Sequence, residues 1–215
     1  STFVGGNGTD GLNRASGRKF NYADEGRGEI ELDVNDNVYV VSSTTSTDLP
    51  TTPNAHRTTY QGGEQDGVAL KMDASLSTMF WCTYFGGTGA DAIYSLDRDD
   101  LQHVYFCGGT RSMDLPFTSG FQNTNQGGTA EGFIAELQYD GTSLLAGTYY
   151  GSPLYDQAYF VEHDEQGNRF VFGQTSAPSG SLILNAPYNQ PAGGQLIAKF
   201  SPGLNSLLMA SRMGS

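Results

Sequence analysis

Three stretches of this chain repeat one another in step, and that self-similarity constrains the fold more than any single residue does. Thr2-Phe3-Val4-Gly5-Gly6 returns as Thr83-Tyr84-Phe85-Gly86-Gly87 and as Thr148-Tyr149-Tyr150-Gly151-Ser152, with a degenerate fourth start at Ser211-Arg212-Met213-Gly214-Ser215. A second phrase, Asn37-Val38-Tyr39-Val40-Val41-Ser42-Ser43-Thr44, returns from His103 to Thr110 and from Asn168 to Thr175. A third, Val68-Ala69-Leu70-Lys71-Met72, returns at 133–137 and 196–200, 65 and then 63 residues on. The glycine marker moves by the same steps, from Gly86 to Gly151 to Gly214.

Each unit reads as four strands, a to d; in the second they fall at about 91–97, 103–109, 132–138 and 143–150. Asp33-Val34-Asn35-Asp36-Asn37 and Asp164-Glu165-Gln166-Gly167-Asn168 supply turn formers between strands a and b. Strand b, expected near 38–43, 104–109 and 169–174, is apolar at consecutive positions, which implies burial on both faces. Sheets stacked around an axis meet that requirement, so the expected fold is all-β: about three four-stranded antiparallel β-propeller blades. The units span about 7–85, 86–150 and 151–213, and the first carries an insertion at 13–28. Because the chain opens and closes inside equivalent strands d, these blades are expected to belong to a larger propeller. Further blades would come from a longer parent chain or from another chain, and the first strand d, around Phe3, would pair with material from outside 7–215 or with the last unit.

These phrases resemble the bacterial SBBP repeat, a family named for a seven-bladed β-propeller. Asp48-Leu49-Pro50-Thr51-Thr52 and Asp114-Leu115-Pro116-Phe117-Thr118 are similar to its loop. The run from Gly62 to Met72 is similar to its last strand. The third unit departs, with Ser179-Gly180-Ser181-Leu182-Ile183-Leu184 in place of the Asp-Leu-Pro phrase. The resemblance implies a secreted or surface-attached protein (alternatively periplasmic), of the kind associated in Bacteroidota with adhesion, gliding motility and type IX secretion. It carries no catalytic residues.

Composition narrows the partners. A net charge of −12 is the wrong sign for binding nucleic-acid phosphates or an anionic membrane surface. No apolar run approaches the ~20 residues of a membrane-spanning helix, so no membrane insertion is expected. No signal peptide is visible after Ser1. Cys82 and Cys107 fall on strands of different units and are expected to be unpaired.

No catalytic motif is present, and the chain reads as a non-enzyme without cofactor or metal. Asp33, Asn35 and Asn37 have the odd spacing of a calcium loop, echoed at Asp97 and Asp99, but Thr44 stands where such a loop needs Glu. An ordinary Asp-capped turn is the favoured account of them, with calcium the lesser alternative. His56, His103 and His163 are expected to be surface or turn residues. The insertion concentrates Arg14, Arg18, Lys19 and Arg27 around Phe20 and Tyr22, four of only 11 basic residues.

Antiparallel order brings the b–c loops, about 45–66, 111–131 and 176–194, to the same end as the d–a connections. That long-loop face is the expected contact surface for a protein or glycan partner, through Arg14, Arg18, Lys19, Phe20, Tyr22, His56 and Tyr60. The expected function is a structural and binding module. The alternatives are a glycan-active propeller enzyme, with Asp48, Asp66 and Asp114 as its carboxylates, and a passive spacer in a large adhesin.

Overall fold

A computed structural model describes residues 4–16 and 25–214. Twelve strands follow one another: β1 Glu29–Leu32, β2 Val38–Thr44, β3 Asp66–Met72, β4 Met79–Phe85, β5 Asp91–Arg98, β6 Val104–Thr110, β7 Glu131–Leu137, β8 Leu144–Tyr150, β9 Asp156–His163, β10 Arg169–Thr175, β11 Gln195–Phe200 and β12 Leu207–Met213. They form three four-stranded antiparallel sheets in sequential order, β1–β4, β5–β8 and β9–β12. No α-helix occurs among the described residues, and so none long enough to cross a membrane. The three strands b run one residue beyond the expected ranges, at β2, β6 and β10. A closed propeller is not formed by these three sheets alone; the all-β, blade-like unit is what the fold establishes.

The a–b hairpins share one turn chemistry. Asp33, Asp99 and Asp164 each accept, through Oδ1, the backbone N–H groups two and four residues on. The residue before strand b's polar opener takes a positive φ in every copy, 60° at Asp36, 64° at Gln102 and 76° at Gly167. Asp and Gly suit such turns; Gln102 is carried there by the hairpin.

The sheets stack face to face, with β5 over β1–β3 and β9 over β5–β7. Tyr39, Val41, Ala69, Trp81 and Phe85 meet Ile93, Leu96, Phe106, Phe133, Ala135 and Leu137 in the first interface. Phe85 is its hub, with ring centroids 4.7 Å from Phe106 and 5.2 Å from Phe133. The second interface reuses the equivalent positions: Tyr105, Cys107, Ile134, Ala146 and Tyr150 meet Ala158, Val161, Val171, Leu196, Ala198 and Phe200. Both cysteines are free, as expected, and both are buried. Cys82 belongs to a cluster on the far side of the first sheet and Cys107 to the second interface.

The two terminal faces continue the same pattern. On the first sheet Val38, Val40, Val68, Leu70 and Met72 occupy the positions that Val104, Phe106, Phe133, Ala135 and Leu137 bury in the first interface. Ile30 pairs with Val40 and Leu32 with Val38, which puts both on that face, and they are 64% and 55% exposed. Val4, Leu49 and Leu76 border the resulting apolar groove. On the third sheet Phe170, Phe172, Ile197 and Met209 occupy the positions of Tyr105, Cys107, Ile134 and Ala146. Phe170 is 38% and Met209 45% exposed.

Candidate functional site

The long-loop end is built by the repeat phrases themselves. Strand b finishes on Thr44, Thr110 or Thr175, and each hydroxyl donates to an aspartate at the head of the unit: Asp10, Asp91 or Asp156. Ser46 and Ser112 donate to the same aspartates and accept the N–H of Gly8 and Gly89. Asp48 and Asp114 then accept the N–H of Asn7 and Thr88 in the connecting d–a segment. Tyr84 and Tyr149 complete the lock: each hydroxyl donates to the carbonyl of Ser46 or Ser112 and accepts the N–H of Leu49 or Leu115. The Asp-Leu-Pro and Thr-Tyr phrases therefore staple loop to link. The Oδ1 atoms of Asp48 and Asp114 are occupied by backbone donors of the link, and Asp48 Oδ2 by the Asn7 side-chain amide.

Of the residues expected at a contact surface, Arg18, Lys19, Phe20 and Tyr22 lie outside the described residues. Arg14 is exposed, and its N–H donates to Gln65. His56 packs half-buried against Phe85, its Nε2 has no partner, and burial, reinforced by the charge of Arg57, lowers its pKa to about 4. Tyr60 packs edge-on against Tyr84, and burial with neighbouring carboxylates raises its pKa to about 12. Both serve the first loop's packing.

The insertion does something the sequence reading missed. It closes through the N–H of Asn13 on the carbonyl of Glu25, then reaches the inner strands of the other units. The Asn13 amide donates to Tyr94, which donates to Gln157. The Arg27 guanidinium lies 4.0 Å over the Tyr159 ring. An insertion read as a basic contact loop thus also ties unit 1 to units 2 and 3. Only a distance across 132 residues of sequence reveals it, and no local pattern encodes that.

Two pairs of buried carboxyls bridge neighbouring units. A Cβ on Gly86 would collide with both Asp66 and Asp91, and one on Gly151 with both Glu131 and Asp156. A side chain at either position would have to displace such a pair, which accounts for the marker at Gly86 and Gly151; Gly214 has no such pair and takes a positive φ of 77° instead. Asp66 and Glu131 are fully buried, and Asp66 Oδ1 has no hydrogen-bond partner. Burial, with Asp91 and Asp156 adding like charge, pushes each pKa up to about 8.

At the opposite end lie the remaining histidines, neither of them free. His163 Nδ1 is 2.6 Å from Asp97 Oδ2 across the second interface. His103 Nδ1 is 3.1 Å from Glu136 Oε1 and 3.5 Å from Asp99 Oδ2. The aspartate expected to be the better calcium ligand, Asp33, already has a cation: Lys71 Nζ sits 3.2 Å from its Oδ2. Its other oxygen holds the turn, and its pKa falls to about 2 because hydrogen bonds from the Asn37 side-chain amide and from the N–H groups of Asn35 and Asn37 outweigh the effect of burial.

No protein-family model matches the chain, and no curated protein sequence matches it at a significant level. What the fold defines is a class: a repeat of stacked, four-stranded antiparallel sheets. The functional reading rests on the chain's own geometry.

Proposed function

We propose that the chain is a non-catalytic structural and binding module of a secreted or cell-surface protein. Its outer sheet faces dock further units of the same kind, from a longer parent chain or another chain, and its long-loop face contacts a protein or glycan. The observation that carries this reading is the match between buried and exposed positions. Ile30 and Leu32 on one face, and Phe170 and Met209 on the other, are exposed where the internal interfaces bury their cores. Contiguous apolar surface of this kind marks an interaction site. Stacked repeats need capping faces that are polar, and among the described residues neither terminal sheet has one.

Light scattering and dye binding test it. The isolated chain should self-associate with rising concentration or bind a hydrophobic dye. Ile30→Glu and Phe170→Glu should each weaken that behaviour without changing the far-ultraviolet spectrum. A monomer at all concentrations with no dye binding would overturn the docking role. For the loop face, a glycan or protein ligand should bind the intact chain and fail to bind a variant lacking residues 13–28.

A further inference from the structure

The end of the stack opposite the long loops carries a charge inversion confined to unit 2. In units 1 and 3 a strand-c lysine neutralises the turn aspartate: Lys71 lies 3.2 Å from Asp33 and Lys199 2.8 Å from Asp164. The residue four beyond that aspartate is an asparagine, Asn37 or Asn168, whose amide donates to it. Unit 2 changes both positions at once. Glu136 stands where the lysines stand, and His103 where the asparagines stand. Two carboxylates therefore face each other where the repeat otherwise pairs opposite charges.

The geometry at this inversion suits a metal ion. Asp99 Oδ1 is held by the N–H groups of Leu101 and His103, which leaves Oδ2 directed at the cluster. The Tyr105 hydroxyl donates to that Oδ2 at 3.2 Å and fixes it, as outer-sphere partners fix metal ligands. One donor atom each from Asp99, His103 and Glu136 lies within 4.8 Å of the other two. Ligands about 2.0–2.2 Å from an ion must lie roughly 3.0–3.5 Å from one another. The His103 separations of 3.1 and 3.5 Å fall on those values. The cluster is reachable, because the three residues line a groove of about 440 Å³ at the unit 2–unit 3 junction.

Arg169 of β10 packs against the same cluster. Its guanidinium is 2% exposed, stacks 3.3 Å over the Tyr105 ring and approaches Asp99 Oδ2 at 3.6 Å. Its Nε and Nη1 have no hydrogen-bond partner, although the residue lines the same groove. The same guanidinium offsets one carboxylate, so the site should bind a divalent ion less tightly than a fully anionic cage would.

We infer that His103 Nδ1, Asp99 Oδ2 and Glu136 Oε1 form a site for one first-row divalent cation, with open positions toward the groove. One imidazole and two carboxylates suit zinc or manganese better than calcium, which favours oxygen donors alone.

The test uses the untagged chain stripped with chelator and titrated calorimetrically with Zn²⁺ at pH 7.5. One zinc per chain is expected. Glu136→Lys and His103→Asn install the residues of units 1 and 3, so folding should survive, which circular dichroism checks. Each should weaken zinc binding by at least about tenfold, the least that losing a direct ligand should cost when loss of an outer-sphere partner already costs that much. His56→Gln, at the other end of the molecule, should bind as the parent does. No zinc uptake by the stripped parent, or uptake unaltered by both substitutions, would overturn the site. So would calcium binding that His103→Asn leaves unchanged, since the imidazole would then be no ligand.

Discussion

Acidification from pH 7.5 to 6.5 should stabilise this protein, and Asp66→Asn should remove about half of the effect. Asp66 and Glu131 are buried with pKa values pushed up to about 8, whereas in the unfolded chain they return to 3.8 and 4.5. Between those limits the folded state holds two protons that the unfolded state has released. Stability contributed by a group with a raised folded pKa is fully present below its unfolded pKa and is lost as the pH climbs through the folded one. Each such proton contributes about 1.4 kcal/mol per pH unit, so the pair gives roughly 2.5 kcal/mol across this interval. Asp156, Glu31 and Glu162 are also raised, chiefly by burial, and act in the same direction. His56 opposes them weakly near pH 6.5 and more strongly below it, because burial drops its pKa from 6.5 to about 4 while the unfolded imidazole takes its proton near 6.5. The lowered aspartates Asp10, Asp33, Asp73 and Asp164 act below pH 4. Urea unfolding at pH 6.5, 7.0 and 7.5 measures the slope. A flat or rising stability over this interval, or an Asp66→Asn slope equal to the parent's, would refute the shared-burial account of the two carboxyls.

Three further outcomes follow from packing and polar satisfaction. Phe85→Ala should cost about 3–5 kcal/mol, read as a lower urea midpoint at an unchanged m value, because Phe85 joins Phe106, Phe117 and Phe133. Tyr149→Phe should cost about 1–3 kcal/mol, since its hydroxyl both donates to Ser112 and accepts from Leu115 within a buried loop. Thiol titration should find no rapidly reacting cysteine in the native protein and two after denaturation, because both side chains are buried and burial pushes the Cys82 pKa up to about 12.

The strands were legible because two local signals agreed: β-branched and aromatic runs on both faces, and Asp-rich turns recurring at a fixed interval. The sheet order followed, since short hairpin turns leave sequential neighbours few other options. The contacts that join distant segments were not legible. The insertion's basic residues read as a solvent-facing cluster, yet Arg27 lies over Tyr159. Gln65 looks like a loop residue, yet it is fully buried, accepts the N–H of Arg14 and Ala15, and donates to the carbonyl of Asp91. The substitutions at Glu136 and His103 were visible once the units were aligned. Only the antiparallel fold of unit 2 sets them beside Asp99.

The third unit shows why a repeat can lose its most recognisable phrase and keep its fold. It has neither the Asp-Leu-Pro loop nor the strand-d tyrosine that binds that loop in units 1 and 2. Both departures are explained by one residue. Arg212 stands at the position of Tyr84 and Tyr149, is 2% exposed, and donates to the carbonyls of Ala177, Pro178 and Gly193 at 3.0, 2.7 and 2.8 Å. A tyrosine hydroxyl gives one hydrogen bond and accepts another, which matches a loop that presents both a carbonyl and an N–H. A guanidinium only gives, so the loop that accompanies it must turn carbonyls inward, and this one does. The buried charge is met by Asp156, the head aspartate of the same unit, which also holds Thr175. The loop phrase and the strand-d residue are thus two halves of one lock. Changing either half alone leaves a buried polar group without its partner, which is why they depart from the repeat together.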